Sequence, residues 1–200
     1  MDLTGKVAIV TGGARDIGKQ VTLKLADAGA SVAFNYYGSA DEARATEAQV
    51  KAMGGNVLAI QGDMTRQADV DALVASALSE FGGSIDILVN VSGGLIARKT
   101  LAEMDVDFFK AVIDLNLTST FLTTQACVPH MASGGAIVNL ASQAGRDGGG
   151  PGASAYACGK GAVMTFTRAM AKELGPQNIR VNALCPGMIS TTFHDTFTKD

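Results

Sequence analysis

Short apolar, β-branched runs recur along the chain. Each is closed by glycine or a polar turn, and most are followed by a stretch with apolar residues at helical spacing. Lys6-Val7-Ala8-Ile9-Val10-Thr11 stops at Gly12-Gly13 and predicts a first strand. Ile17, Val21, Leu25 and Ala28 then repeat at helical intervals up to Gly29, predicting a helix over Ile17 to Ala28. The same alternation predicts strands at Ser31 to Tyr36, Val57 to Ile60, Ile85 to Asn90, Ala136 to Leu140 and Ile179 to Leu184. Helices are predicted at Asp41 to Met53, before Gly54-Gly55, and at Asp69 to Phe81. A long helical stretch covers Asp105 to Met131, with a break near Asn116, and a last helix runs from Ala153 to Leu174. Between Ser142 and that helix the chain reads as a Gly/Pro loop too flexible to be helical.

Strands alternating with helices of this length define βαβ units, hence α/β architecture with a parallel sheet, helices on both faces and right-handed crossovers. No repeat, linker or low-complexity segment interrupts the pattern, so residues 1–200 read as one domain. A hydrophobic fraction of 47% against 18% charged residues excludes disorder. The net charge of −3 and pI near 5.3 argue against nucleic acid or an anionic membrane as partner. No apolar run reaches the ~18 residues of a membrane span, and the first residues do not form a signal peptide. Cys127, Cys158 and Cys185 are scattered and lack ligand spacing; they read as reduced packing residues of a cytoplasmic protein. His130 and His194 have no partner pattern either, so no metal site is expected.

Two stretches carry chemistry. Tyr156 and Lys160 lie one helical turn apart, on one face, and Ser142 stands at the end of the fifth strand across a glycine gap. An ammonium beside a phenol favours the phenolate and lowers the Tyr pKa from about 10 towards the working range of an acid–base catalyst. A Tyr-x-x-x-Lys pair with a solvated Lys is the plain alternative. The second stretch is Thr11-Gly12-Gly13-Ala14-Arg15-Asp16-Ile17-Gly18, in the first βα turn. There glycines admit a diphosphate and a helix N-terminus faces it. Asp16 reads as an N-cap of the first helix, or else as a carboxylate set against phosphates. Asp63-Met64 and Asn90-Val91-Ser92-Gly93 close two further strands on the same rim. Each taken alone could be a turn.

With TGGARDIG, GDM, LVNVSGG, LNLTSTF, NLAS, YACGK and IRVNALCPGMISTT in this order from about residue 3 to residue 192, the chain resembles a short-chain dehydrogenase/reductase, close to the 3-oxoacyl-carrier-protein reductase-like group. The resemblance implies a Rossmann-type doubly wound parallel sheet of strand order 3-2-1-4-5-6, with the family's seventh strand absent from a chain that stops at Asp200. It implies an NAD(P)-dependent oxidoreductase acting on a carbonyl or secondary alcohol, a 3-oxoacyl thioester being one candidate. Tyr156 would be the proton donor and acceptor, Lys160 would lower its pKa and hold the ribose, Ser142 would bond the substrate oxygen, and Asn116 would hold a relay water. Gln143 competes with Ser142 for its place, but its amide is the wrong group. For the cofactor, the resemblance implies Gly12, Gly13, Ala14, Arg15, Asp16, Ile17 and Gly18 at the diphosphate and Asp63 with Met64 at the adenine. Asn90 and Gly93 would meet the adenosine side, and Pro186, Gly187, Ile189 and Thr191 the nicotinamide. Strand two ends in Asn35, Tyr36 and Tyr37 without an acid, and Arg15 is cationic, which favours NADP(H) over NAD(H). A catalytically idle dinucleotide-binding module is the alternative function. The partners implied are a small-molecule substrate and a second copy of the chain: a dimer through the two long helices, a tetramer only with further residues.

Overall fold

The structure, a computed structural model, describes residues 1–197, and the side chain of His194 and the chain end at Asp200 lie outside the described residues. Among the described residues, six strands form one parallel sheet in the order β3-β2-β1-β4-β5-β6. They are β1 (Val7–Thr11), β2 (Ser31–Tyr36), β3 (Val57–Gln61), β4 (Ile85–Asn90), β5 (Met131–Leu140) and β6 (Arg180–Leu184). Between them run α1 (Asp16–Asp27), α2 (Ala40–Ala52), α3 (Gln67–Phe81), α4 (Val106–Ile113), α5 (Ser119–Cys127), α6 (Ala144–Asp147) and α7 (Ser154–Leu174), with α8 (Thr192–Phe197) after β6.

Side-chain alternation along the strands splits the core in two. Ile9, Ala33, Leu88, Ile137 and Val181 face one layer, packed with Val70 and Leu73 of α3, Cys127 of α5 and Leu174 of α7. Ala8, Val10, Val32 and Phe34 face the other, packed with Leu23 and Ala26 of α1 and Ala43 and Val50 of α2. Register then sets the rim: Thr11 pairs with Asn90, and Asn90 with Asn139, so three polar residues stand level at the carboxyl ends of β1, β4 and β5. A parallel sheet offers its ligand site at that edge.

Three elements differ from the sequence-based expectation. The long helical stretch stops earlier: after α5 a 3-10 turn over Val128–His130, with Pro129 in it, leads into β5, and Met131 already pairs with Ile85 across a bulge. The break near Asn116 is a π-helical segment, Asp114–Thr118, that joins α4 to α5 without ending the helix. The Asn116 amide donates to Val112 O, while the hydroxyls of Ser119 and Thr120 back-bond to Leu115 O and Asn116 O, contacts that accompany a widened turn. The glycine-rich loop holds a helical turn, α6. Ser142 Oγ accepts from the Ala144 N–H, and Gly145 lies so close to α7 that a Cβ there would meet Gly161 N at 2.7 Å. Docking against α7, rather than propensity, orders it.

Candidate active site

A cleft of about 1220 Å³ opens along the carboxyl rim of the sheet. Of the residues singled out in the sequence, Gly12, Ala14, Arg15, Asp16, Ile17, Gly18, Asn35, Tyr37, Asp63, Met64, Gly93, Ser142, Tyr156, Lys160, Pro186, Gly187, Ile189 and Thr191 line it. Gly13, Asn90 and Asn116 do not.

At one end the wall is backbone. Gly18 presses on the turn so closely that a Cβ would lie 1.9 Å from Gly12 O, and a Cβ on Gly12 would meet Ser92 N at 3.2 Å. Gly13 is turned inward, where a Cβ would strike Phe34 at 2.5 Å; its part is to let β1 and β2 approach. Asn35 pins this turn from β2: Oδ1 accepts from Gly12 N at 3.3 Å and Nδ2 donates to Gly62 O at 2.8 Å. Asp63 folds its own turn, accepting from the Thr65 N–H and hydroxyl. The N-cap expected of Asp16 is not made. Arg15 occupies the cap position without a side-chain cap bond, and the Asp16 carboxylate points across the cleft to Thr192.

At the other end the wall is side chain. Ser142 and Tyr156 line the cleft together, and the serine hydroxyl favours the ionised form of the phenol. Lys160 is buried, and its Nζ donates to Leu140 O at 2.6 Å while standing 5.9 Å from the Tyr156 ring centroid. Asn116 locks the loop after β4, accepting from Gly94 N at 3.0 Å and donating to Gly94 O at 2.8 Å. A Cβ on Gly93 would lie 2.6 Å from Asn116 Oδ1 and 2.8 Å from Lys160 Nζ, so Gly93 keeps open the gap between amide and ammonium. Gln143, the competitor of Ser142, bonds Asp147 instead. Asn90 departs from its expected place: its side chain is spent in the core, donating to Asn139 Oδ1 at 2.8 Å and accepting from the Thr123 hydroxyl at 2.6 Å.

The electrostatics also differ from expectation. Burial raises the Tyr156 pKa above 10.0, outweighing the Ser142 hydroxyl, which lowers it. Burial also pushes Lys160 from 10.5 down to about 8. Both groups are held towards their neutral forms, so the phenol stands protonated and able to donate.

Three contributors were not singled out from sequence. Phe193 lies 5.9 Å from the Tyr156 ring and 5.1 Å from Phe197, which makes α8 an apolar wall beside the phenol. Arg98 ties that wall to the glycine loop, donating to Phe197 O at 2.7 Å and Pro151 O at 2.8 Å. Phe193 and Phe197, four apart after the Pro186 turn, were the available signal; Arg98 had none.

Sheet order, rim cleft and the Ser-Tyr-Lys grouping match a known family. The profile of the short chain dehydrogenases covers residues 6–200, and the chain belongs to that family. It is an NAD(P)-dependent oxidoreductase; the idle alternative has no support. Among its relatives, a 3-oxoacyl-[acyl-carrier-protein] reductase of Synechocystis is 42% identical over 99% of this chain and 80% of its own. A dehydrogenase/reductase of Sinorhizobium meliloti superposes with a TM-score of 0.93 at 32% identity, covering all of this chain and 77% of the other. A Burkholderia cenocepacia short chain dehydrogenase, solved in complex with NADP, gives 0.91 at 35% identity, covering 96% and 78%.

Proposed function

We propose that the chain moves a hydride between NADP(H) and a carbonyl or secondary alcohol, with a 3-oxoacyl thioester as the substrate class. The observation that carries the chemistry is the Ser142–Tyr156–Lys160 grouping on the wall of the cleft. The cradle fits a dinucleotide: Gly12 and Gly18 leave bare backbone where a Cβ would collide, and the cleft runs unbroken from Tyr37 to Tyr156. The cofactor, when bound, supplies the hydride from its nicotinamide. Ser142 donates to the substrate oxygen, Tyr156 delivers the proton to it, and Lys160 favours the tyrosinate left behind, in reach of proton resupply past Gly93 and Asn116. Asn35 and Tyr37 at the end of β2 put no carboxylate there, and Arg15 on the opposite side of the turn is cationic, which supports NADP(H). The Burkholderia relative's bound NADP and the reductase name of the Synechocystis relative agree with this reading. Purified protein should consume NADPH faster than NADH with a 3-oxoacyl thioester. Equal silence with both cofactors across a panel of carbonyls would refute it.

The same reading includes a small-molecule substrate, a cytoplasmic location and a homodimer. On the α4–α5–α7 side, Val106 is 61% exposed and Phe121 42%, the latter edge-on to Phe166 with ring centroids 6.3 Å apart. Exposed apolar side chains on these helices support a second copy as the partner. Sedimentation at micromolar concentration should give a dimer, and Phe121→Glu a monomer.

A further inference from the structure

Asp16 has no part in the chemistry above, yet it occupies a backbone position that disfavours it. Its φ is 50°, in the left-handed region that ordinary residues avoid and Asp tolerates better than most. What the side chain gains is a long-range contact. Oδ1 accepts the Thr192 backbone N–H at 3.1 Å and Oδ2 the Thr192 hydroxyl at 2.6 Å. Arg15 Nη1 donates to the same hydroxyl at 2.5 Å and stands 3.4 Å from the Asp16 carboxylate. Thr192 begins α8, and the next residue, Phe193, packs against Tyr156. A single short path thus joins the glycine turn to the proton donor: Asp16, Thr192, Phe193, Tyr156.

We propose that Asp16 is a positioning residue, a latch that through Thr192 holds α8 against Tyr156 before any dinucleotide binds. The latch itself is independent of the proposed reaction. One consequence rests on that reading: the carboxylate, on the wall of the cleft, would oppose a bound diphosphate and weaken its binding, so affinity and a preformed substrate wall oppose each other.

Hydrogen exchange of the segment 189–197, followed by mass spectrometry on the cofactor-free chain, reads the latch alone. Asp16→Gly relaxes the backbone and removes both bonds, and exchange there should quicken about tenfold or more. Thr192→Val keeps the backbone bond and loses the hydroxyl, and should fall between. Asp16→Asn keeps an acceptor for the N–H and a donor for the hydroxyl, and should exchange like the parent. Parent-like exchange in both Asp16→Gly and Thr192→Val overturns the latch. A second readout is NADPH titration. Asp16→Gly and Asp16→Asn should both bind several-fold tighter, while the KM for the carbonyl substrate rises in Asp16→Gly only. Unchanged affinity in both variants overturns the electrostatic consequence, and absence of NADPH binding in every chain overturns the cofactor reading, whichever way exchange falls.

Discussion

Around Gly12 and Gly18 the cleft wall is bare backbone held open by the lack of side chains; around Ser142, Tyr156 and Lys160 it is made of side chains, Lys160 tied to the Leu140 carbonyl and Ser142 to the Ala144 N–H. The first end depends on space. A Cβ at Gly18 has nowhere to go, while the polar groups there, Asn35 and Asp16, hold the backbone in place. The second end depends on chemistry. Burial pushes the Lys160 ammonium towards losing its proton, and Tyr156 keeps its own. One end should therefore respond to added volume with little regard to pH. The other should respond to removed polar atoms, and to pH.

The largest effect belongs to the side-chain end. Tyr156→Phe removes the donor and keeps the ring that Phe193 packs against. Turnover should drop by at least ~100-fold, with NADPH affinity nearly unchanged. A variant within a few-fold of the parent would place the proton elsewhere.

At the backbone end, Gly18→Ala adds one methyl 1.9 Å from Gly12 O. The turn must move, so stability should fall by about 3 kcal/mol or more, and cofactor affinity with it. Denaturant melts beside a binding titration check both. A variant that melts like the parent would mean that the turn yields at no cost.

Lys160 gives a pH test of comparable size. Its folded pKa is depressed, from 10.5 to about 8. Between those values the unfolded chain binds more protons than the folded one, so stability should rise with pH there. Below pH 8 both states carry the proton and the contribution is flat; above 10.5 both have lost it and the gain is complete. The swing is about 3 kcal/mol. Denaturation of the parent and of Lys160→Met from pH 7 to 10.5 isolates it, because other titrations are common to both chains. Parallel curves would mean that the ammonium is better solvated than its burial indicates.

Much of this was legible because the signal was local. Apolar runs closed by glycine gave six strands, and alternation with helices gave a parallel sheet whose carboxyl ends carry the small and polar residues. What escaped depends on contacts far apart in sequence. Asp16 looked like a cap because an acid at a helix start usually is one; its partner, Thr192, lies 176 residues away. Asn90 looked like a rim residue, but Asn139 and Thr123 claim its amide inside the core. α6 forms in a glycine-rich segment only because α7 offers a surface for Gly145. The start of β5 lies ahead of the apolar run Ala136 to Leu140, and the strand there is held by pairing of Met131 with Ile85. The depressed Lys160 pKa was equally out of reach, since helical spacing puts a lysine near a tyrosine without saying that the site is dry.

The smallest effect sharpens the comparison from the other side, because not every glycine on the rim is there for space. Gly38 lines the same cleft beside Tyr37, but a Cβ built on it meets nothing within 4 Å, and its backbone is outside the left-handed region. An alanine can adopt that conformation unstrained and narrows the unfolded ensemble, so Gly38→Ala should raise stability by about 0.5 kcal/mol. The methyl points into open space, so cofactor affinity should stay within about twofold of the parent. Paired with Gly18→Ala it sets the two conditions apart: glycine required by a close approach, and glycine where an ordinary residue would serve. Destabilisation of Gly38→Ala comparable to that of Gly18→Ala would show that the rim needs flexibility rather than room, and that the backbone end of the cleft moves when it works.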